Sequence, residues 1–267
     1  MATREESEVT IKKLLECGAH FGHPKYRCNP KMKRFIFEEK NGIDIIDLSK
    51  TIQQIRSNID VVKDVVTNHK SILFVGTKKQ AKLLVKECAE SAGEYYVCER
   101  WLGGMLTNLP TIRKSIKTLE RIEKKIAAGG EGLTKKEMSQ LAKSQQKLDK
   151  QLSGIRGMRK PPGLLIVVDA YHEHIAIQEA RKLDIPVLAL IDTDGNPDII
   201  DYVIACNDDA LKSIKLILNA ITDGIIEKKK ELNISLVKET GSFHQKSRGL
   251  KVRAKDTNYK KDFNPRT

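Results

Sequence analysis

Short runs of consecutive apolar residues recur along this chain and are separated by longer stretches with a different pattern. The clearest run covers residues 71–76. Similar runs occur at residues 164–168, 187–191 and 202–205, with a weaker one at 95–97. Short continuous apolar runs are typical of parallel strands that are buried on both faces. These runs therefore predict the strands of one mostly parallel sheet.

The stretches between most of these runs carry a helical pattern. In residues 80–92, 173–183 and 208–230, apolar residues recur every three or four positions, which places them on one face of a helix. Strands that alternate with helices of this length are typical of a doubly wound, three-layer α/β sheet. The hydrophobic pattern thus predicts an α/β fold class.

The N-terminal part of the chain combines a basic loop with a hairpin signal. Residues 24–34 contain two prolines and no apolar period, which predicts a loop. The pair Asn41-Gly42 lies between two apolar runs and is typical of a β-hairpin turn. Ser49 is then expected to cap the next helix.

One stretch interrupts the alternation between the second and third predicted strands. Residues 110–126 and 134–155 each carry a narrow apolar seam, and a glycine-rich turn joins them. Thr134 and Glu137 have the spacing of a capping box, which marks the second helix start. Narrow seams predict an antiparallel coiled-coil hairpin that projects as an arm. The alternative is an ordinary helix pair packed on the sheet.

The charge of the chain is unevenly distributed. Lys and Arg number 48 against 35 Asp and Glu, so the formal net charge is +13. Residues 111–160 carry 14 basic and 5 acidic side chains, and residues 241–267 carry 8 and 2. The remainder is nearly neutral. Such a balance indicates a polyanionic partner, with nucleic acid ahead of an anionic membrane.

Other features of the composition exclude several protein classes. No apolar run approaches the roughly 20 residues that cross a bilayer, which argues against an integral membrane protein. The polar N-terminus does not resemble a secretory or transit peptide. Five irregularly spaced cysteines do not fit a disulfide scaffold, so we expect a reducing compartment such as the cytoplasm.

Four stretches of the chain carry motifs of a known family in that family's order. They are residues 14–23 with 29–32, residues 75–81, residues 100–108, and residues 168–174 continued by 185–186, 192–193 and 207–210. Together these stretches resemble the bacterial small-subunit ribosomal protein S-two family. The resemblance spans roughly residues 10–230.

The resemblance implies both an architecture and a function. It implies a flavodoxin-like three-layer sheet with a coiled-coil insertion. It also implies that the protein catalyses no reaction of its own. It also implies contact with small-subunit rRNA and with neighbouring ribosomal proteins, S-one among them. We expect neither a membrane nor a second copy of the chain as a partner. The sequence does not distinguish a bacterial cytoplasm from an organelle.

We expect four parts along the chain. Residues 1–109 hold the N-terminal segment and the first part of the α/β domain. Residues 110–158 form the helical hairpin, and residues 159–232 complete the α/β domain. Residues 233–267 form a basic tail that is extended or disordered, because they combine polar and basic residues with few apolar ones.

The side chains expected to contact rRNA are basic groups and one amide in the loop, the hairpin, the tail and two shorter motifs. Basic side chains bind folded RNA mainly through its phosphates. The set is Lys25, Arg27, Asn29, Lys31, Lys33, Arg34, Lys78, Lys79, Arg100, Arg113, Lys117, Arg156, Arg159, Lys160, Arg248, Lys251 and Arg253. Trp101, beside Arg100, is expected to pack rather than to stack on RNA.

Aspartates follow several predicted strands and raise the question of a metal. Asp192 and Asp208 are the expected ligands if Mg²⁺ binds there, because hard cations prefer carboxylate oxygens. The alternative is that Asp208 complements a helix dipole. A zinc site at Cys17, His20, His23 and Cys28 lacks the usual paired cysteine spacing.

Two other functions compete with rRNA binding. The first is an α/β enzyme acting on a phosphorylated small molecule near Gly76, with His172, Glu173 and the aspartates that follow the strands as candidate groups. The loop after Gly76 lacks a Walker A pattern, and no familiar catalytic spacing links the candidates. The second is a coiled-coil adaptor that binds acidic proteins.

Overall fold

The computed structural model describes residues 9–129 and 134–234 of the 267-residue chain. Its helices are α1 (Ile11–Glu16), α2 (Leu48–Thr67), α3 (Lys82–Ala92), α4 (Leu109–Ala127), α5 (Lys135–Leu152), α6 (His174–Lys182) and α7 (Leu211–Glu231). Its strands are β1 (Phe21–Pro24), β2 (Ile36–Lys40), β3 (Ile43–Ile46), β4 (Ile72–Val75), β5 (Tyr95–Val97), β6 (Leu164–Val168), β7 (Val187–Ile191) and β8 (Tyr202–Ala205).

The five predicted apolar runs form one parallel sheet in the order β5-β4-β6-β7-β8. This confirms the mixed α/β class. Every residue of β4, β6 and β7 is buried, because helices cover both faces of a doubly wound sheet. The order of the strands reverses between β4 and β6, where this kind of sheet opens a crevice at its carboxyl edge.

The side chains of each central strand alternate between two apolar layers. On one side, Phe74 of β4 and Ile166 of β6 pack in a cluster with residues of α2, α3 and α7. On the other side, Val75 and Val167 pack in a cluster with residues of α6 and the beginning of α4. The alternation follows from the two-residue period of a strand. Together these clusters form a three-layer core.

A second, antiparallel sheet in the order β1-β3-β2 lies in the N-terminal part. The predicted hairpin is confirmed, since Asn41 and Gly42 both have positive φ values, 53° and 76°, as the tightest hairpin turns require. The predicted cap at Ser49 is wrong. Asp47 is the N-cap of α2, and its Oδ1 accepts a hydrogen bond from the Ser49 backbone N–H at 3.0 Å.

Helices α4 and α5 pack against each other, and the predicted capping box of Thr134 and Glu137 begins α5. Complete burial on α5 is confined to Leu152, beside the main sheet. The chain then returns onto the edge strand β5. A side chain at Gly154 would collide with the Tyr96 carbonyl oxygen, so glycine is required for this close approach. The coiled-coil geometry of the pair stays a prediction, and the glycine-rich turn extends outside the described residues.

Polar side chains of α2 close the free edge of β8, at the other end of the main sheet. Thr51 Oγ1 donates to the Ala205 carbonyl at 2.7 Å, and Gln54 Oε1 accepts from the Ala205 N–H at 2.9 Å. Asn58 Nδ2 donates to the Val203 carbonyl at 3.1 Å. An edge strand otherwise presents unpaired groups to other chains. Helix α2 therefore protects this edge while it packs on the sheet.

Candidate nucleic-acid interface

The predicted N-terminal RNA-binding loop is held against the main sheet. The Asn29 N–H donates to the Thr193 carbonyl at 2.8 Å, and the Asn29 side chain accepts from the Lys31 N–H at 3.1 Å. Met32 is fully buried below the loop. Asn29 therefore positions the loop, and the basic side chains around it are the ones that face outward.

The cations of this loop differ in their surroundings. Lys31 Nζ lies 2.6 Å from an oxygen of Asp198, and Arg34 contacts the same carboxylate at 3.8 Å. Lys25 Nζ lies 2.5 Å from Glu39. All of these side chains are exposed, and exposed ion pairs contribute only about 0–1 kcal/mol, so a phosphate can replace the carboxylate.

Two further cations of the loop, Arg27 and Lys33, are exposed as well. Arg27 lies over the ring of Tyr26, with its guanidinium carbon 5.9 Å from the ring centroid. Among the described residues, neither cation has a carboxylate within 4.0 Å. These two side chains are therefore the most available cations of the N-terminal loop.

Lys78, a predicted RNA-binding residue, lies instead among carboxylates at the edge where the parallel strands end. Its Nζ contacts Asp169 at 3.1 Å, Asp208 at 2.8 Å and Asp209 at 2.5 Å. Burial lowers the pKa of Lys78, but these carboxylates outweigh burial and leave the pKa raised. Lys78 is therefore a protonated link between three loops, whereas its neighbour Lys79 is exposed.

His23 makes a second link at the same edge. Its Nδ1 lies 3.2 Å from Asp192, and its Nε2 lies 3.5 Å from Asp209 and 3.9 Å from Asp194. Close contact with Asp192 raises the pKa of His23 to about 9. The histidine is therefore a cation at neutral pH and connects β1 of the small sheet to the main sheet.

The carboxylates of this edge outnumber the two cations. Asp208 is almost fully buried, and burial together with the charges of Asp169 and Asp192 raises its pKa well above the usual value. Burial also raises the pKa of Asp194. The cluster therefore favours retention of a proton, since not all of its carboxyl groups can ionise without cost.

The predicted magnesium ligands Asp192 and Asp208 contact His23 and Lys78 respectively. Within residues 9–129 and 134–234, no group of three or more His, Cys, Asp or Glu side chains is arranged to hold a metal ion. This also applies to the alternative zinc set, where the ring of His20 lies against that of Phe21 at 4.0 Å between centroids. The internal cations occupy the positions nearest to these carboxylates.

A buried carboxylate, Glu179 of α6, organises the loop that carries Arg100 and Trp101. Trp101 is buried, which confirms packing, and its Nε1 donates to Glu179 at 3.0 Å. Backbone N–H groups of Gly104, Leu106 and Thr107 and the Thr107 hydroxyl donate to the same carboxylate. Burial raises the pKa of Glu179, but these donors outweigh burial and leave it lowered. Arg100 itself is exposed.

Among the residues that the structure describes, the helix pair presents the largest group of exposed cations. All Lys and Arg side chains on the two helices are exposed: Arg113, Lys114, Lys117, Arg121, Lys124 and Lys125 on α4, and Lys135, Lys136, Lys143, Lys147 and Lys150 on α5. Arg159 and Lys160, which follow the pair, are exposed too. The predicted residues Arg113, Lys117, Arg159 and Lys160 are therefore accessible.

Arg156 is the exception among the predicted cations of this region. Its side chain is only 8% exposed and pairs with Glu123 of α4 and, at 3.2 Å, with Asp149 of α5. It joins the two helices and so has a structural role. The predicted contacts Arg248, Lys251 and Arg253 lie outside the described residues.

Several buried charged residues that hold this fold together were not predicted from the sequence. Glu179 is one, and the buried pair of Lys229 with Glu94, 2.5 Å apart, is another. Lys229 Nζ also donates to the Ala92 carbonyl at 2.7 Å, and Glu94 accepts from the Ile72 N–H at 2.9 Å. Lys229 lies in the charged run 227–231, so no local pattern in the sequence marks it as buried.

Comparison with known proteins identifies the family of the chain. Among residues 9–129 and 134–234, no helix combines the length and the apolar character needed to span a membrane. The model of the family described as "Ribosomal protein S2" matches residues 14–228.

Curated relatives with the name "Small ribosomal subunit protein uS2" match most of the chain. The protein of Protochlamydia amoebophila (strain UWE25) is 66% identical over 231 residues, which is 86% of this chain and 85% of that protein. The protein of Chlamydia caviae is 56% identical over 257 residues, 96% of this chain and 93% of its own length. The chain therefore belongs to the ribosomal protein S2 family, whose members are structural proteins of the small ribosomal subunit and not enzymes.

Proposed function

We propose that this chain binds small-subunit rRNA through the exposed cations of its N-terminal loop and helix pair, together with its basic tail. The observation that carries the proposal is the charge of the helix pair. Its eleven Lys and Arg side chains are all exposed and outnumber the four Asp and Glu on the same helices. Clustered cations on one element neutralise phosphates and release counterions from RNA.

Docking of neighbouring ribosomal proteins, S-one among them, is the second part of the proposal. The small N-terminal sheet and its loops carry exposed aromatic side chains, with Tyr26 at 82%, Phe37 at 71% and Phe21 at 49% exposure. Aromatic residues are enriched in protein interfaces because they bury a large area with few lost rotamers.

The presence of this chain on cytoplasmic ribosomes is also proposed, on the basis of its bacterial relatives.

Reconstitution of small subunits tests the rRNA contact. Subunits are assembled from rRNA and the other proteins with either wild-type chain or the variant Arg27→Glu with Lys33→Glu. We expect the variant to be incorporated less, because charge reversal at two exposed cations replaces attraction to phosphate by repulsion. Lys31 is left unchanged because a glutamate there would face Asp198.

A matched control separates this contact from a general loss of charge. Lys212→Glu with Lys215→Glu makes the same charge change at exposed positions in the first turns of α7, where carboxylates suit the helix dipole. The control should be incorporated like the wild type. Equal incorporation of the loop variant and the wild type would reject the loop contact. A wild-type chain that does not enter subunits would reject the proposed function itself.

A further inference from the structure

A groove with basic walls lies at the base of the helix pair, where α4 begins and the chain returns to the main sheet. Its volume is about 310 Å³. Its lining residues come from the first turns of α4 and from the segment after α5: Leu109, Pro110, Arg113, Lys114, Lys117 and Arg159. Four of these six residues are cations, and the other two are apolar.

No described carboxylate neutralises the four cations of the groove. Among the residues that the structure describes, none of the four has a carboxylate within 4.0 Å. In the N-terminal loop, by contrast, Lys31 and Arg34 share Asp198. Four like charges along a concave wall concentrate a positive potential, which an external anion would relieve. The groove therefore differs in kind from the neutralised parts of the surface.

Packing fixes the part of the backbone of α4 from which Arg113 and Lys117 extend. Arg113 and Lys117 are four residues apart, so they lie on one face of α4. Ile112 and Ile116 are buried in the core beside them, which prevents rotation of this end of the helix. Arg159 comes from the other end of the insertion. The groove therefore forms only when the two ends of the helix pair, the beginning of α4 and the segment after α5, lie side by side.

We propose that this groove is a defined docking site for the sugar-phosphate backbone of rRNA. Two neighbouring phosphates contact Arg113 and Lys117, Arg159 faces them across the groove, and the exposed Pro110 contacts ribose. Cationic groups supply the charge-assisted hydrogen bonds that phosphates accept, and apolar walls suit the sugar. This inference rests on the proposed function and narrows it, because it assigns the contact to the groove and not to the total charge of the helices.

The test compares two charge-matched variants of the full chain on purified small-subunit rRNA. Arg113→Gln with Lys117→Gln removes two cations of the groove. Lys143→Gln with Lys147→Gln removes two exposed cations of α5 at the same spacing. The measurement is the slope of log binding constant against log salt concentration, with circular dichroism as the check on folding. The groove variant should lose roughly 1.4–1.8 units of slope, for two phosphate contacts, and the control should lose much less.

Each other outcome overturns the inference in a distinguishable way. Equal losses in both variants would show that the charge acts diffusely, and rRNA binding would still stand. An unchanged slope in the groove variant, combined with loss of a neighbouring protein from assembled subunits, would assign the groove to an acidic protein segment. If the wild-type chain fails to bind rRNA, the proposed function fails together with the groove.

Discussion

Replacement of Glu179 by glutamine tests how the Arg100–Asn108 loop is held. Oε1 of Glu179 accepts from Trp101 Nε1 at 3.0 Å and from the Gly104 N–H at 2.7 Å. Oε2 accepts from the Leu106 N–H at 3.0 Å and from the N–H and hydroxyl of Thr107, both at 3.1 Å. All five partners are donors, so both oxygens of the side chain must act as acceptors.

The Glu179→Gln variant keeps the shape of the side chain but turns one acceptor into an NH₂ group. That NH₂ faces either two or three donors, whichever way the amide is oriented. An unsatisfied buried donor costs about 1–3 kcal/mol, and a broken buried charged network costs about 3–5 kcal/mol. We therefore expect the free energy of unfolding to fall by about 3–5 kcal/mol.

Urea unfolding of the full chain measures this loss. The control is Glu87→Gln on α3, an exposed position where the same chemical change should alter stability by less than about 0.5 kcal/mol. A Glu179→Gln variant that is no less stable than this control would refute the reasoning. The loop would then be held by packing of Trp101 alone.

The pH dependence gives a second check on the same network. The pKa of Glu179 is lowered in the folded chain from an ordinary value of 4.5. A carboxyl group with a lowered folded pKa stabilises the protein above its unfolded pKa, and this contribution is lost as the pH falls towards the folded value. The stability gap between wild type and Glu179→Gln should therefore be constant near neutral pH and shrink below about pH 4.5. A gap that is independent of pH would contradict the role of the charge.

Two further predictions concern other buried polar contacts. Lys229→Met removes the cation that pairs with the buried Glu94 carboxylate, so the free energy of unfolding, measured with urea, should fall by about 3–5 kcal/mol. The control is Lys228→Met, which removes a neighbouring surface ion pair and should change the free energy of unfolding little. Thr51→Val with Asn58→Leu removes two of the hydrogen bonds that close the edge of β8, so sedimentation velocity should show concentration-dependent association of the variant. A variant that sediments like the wild type would mean that packing alone protects the edge.

The main sheet could be predicted because its strands are buried on both faces. Continuous apolar runs such as residues 164–168 leave little choice of structure once helices flank them. The helix ends were less precise, since α7 begins at Leu211 and not at residue 208. The cap of α2 shows why: Ser49 and Asp47 both suit a cap, and only the backbone geometry decides which one serves.

The candidate site was harder to predict because it depends on partners that are distant in sequence. Glu179 contacts a loop more than 70 residues before it, and no local pattern marks that relation. Lys31 and Arg34 were expected to contact rRNA, and nothing in the sequence near them shows that Asp198 lies beside both. Charge counts along the chain show where cations are concentrated, but only the fold shows which of them have internal partners.

The carboxyl edge of the main sheet explains how an enzyme-like architecture serves a structural protein. In doubly wound sheets this edge, where the strand order reverses, is the usual place for a ligand. Here Lys78 follows β4, Asp169 follows β6 and Asp208 follows β8, and the three side chains meet directly. A small phosphorylated substrate could therefore occupy this crevice only if it broke the contacts of Lys78 with Asp169 and Asp208. Membership of the ribosomal protein S2 family excludes the enzyme alternative. The Lys78 contacts give a physical reason, because they neutralise a crevice cation that a phosphorylated substrate would need, whereas exposed cations without a carboxylate partner are found among the described residues of the helix pair and the N-terminal loop.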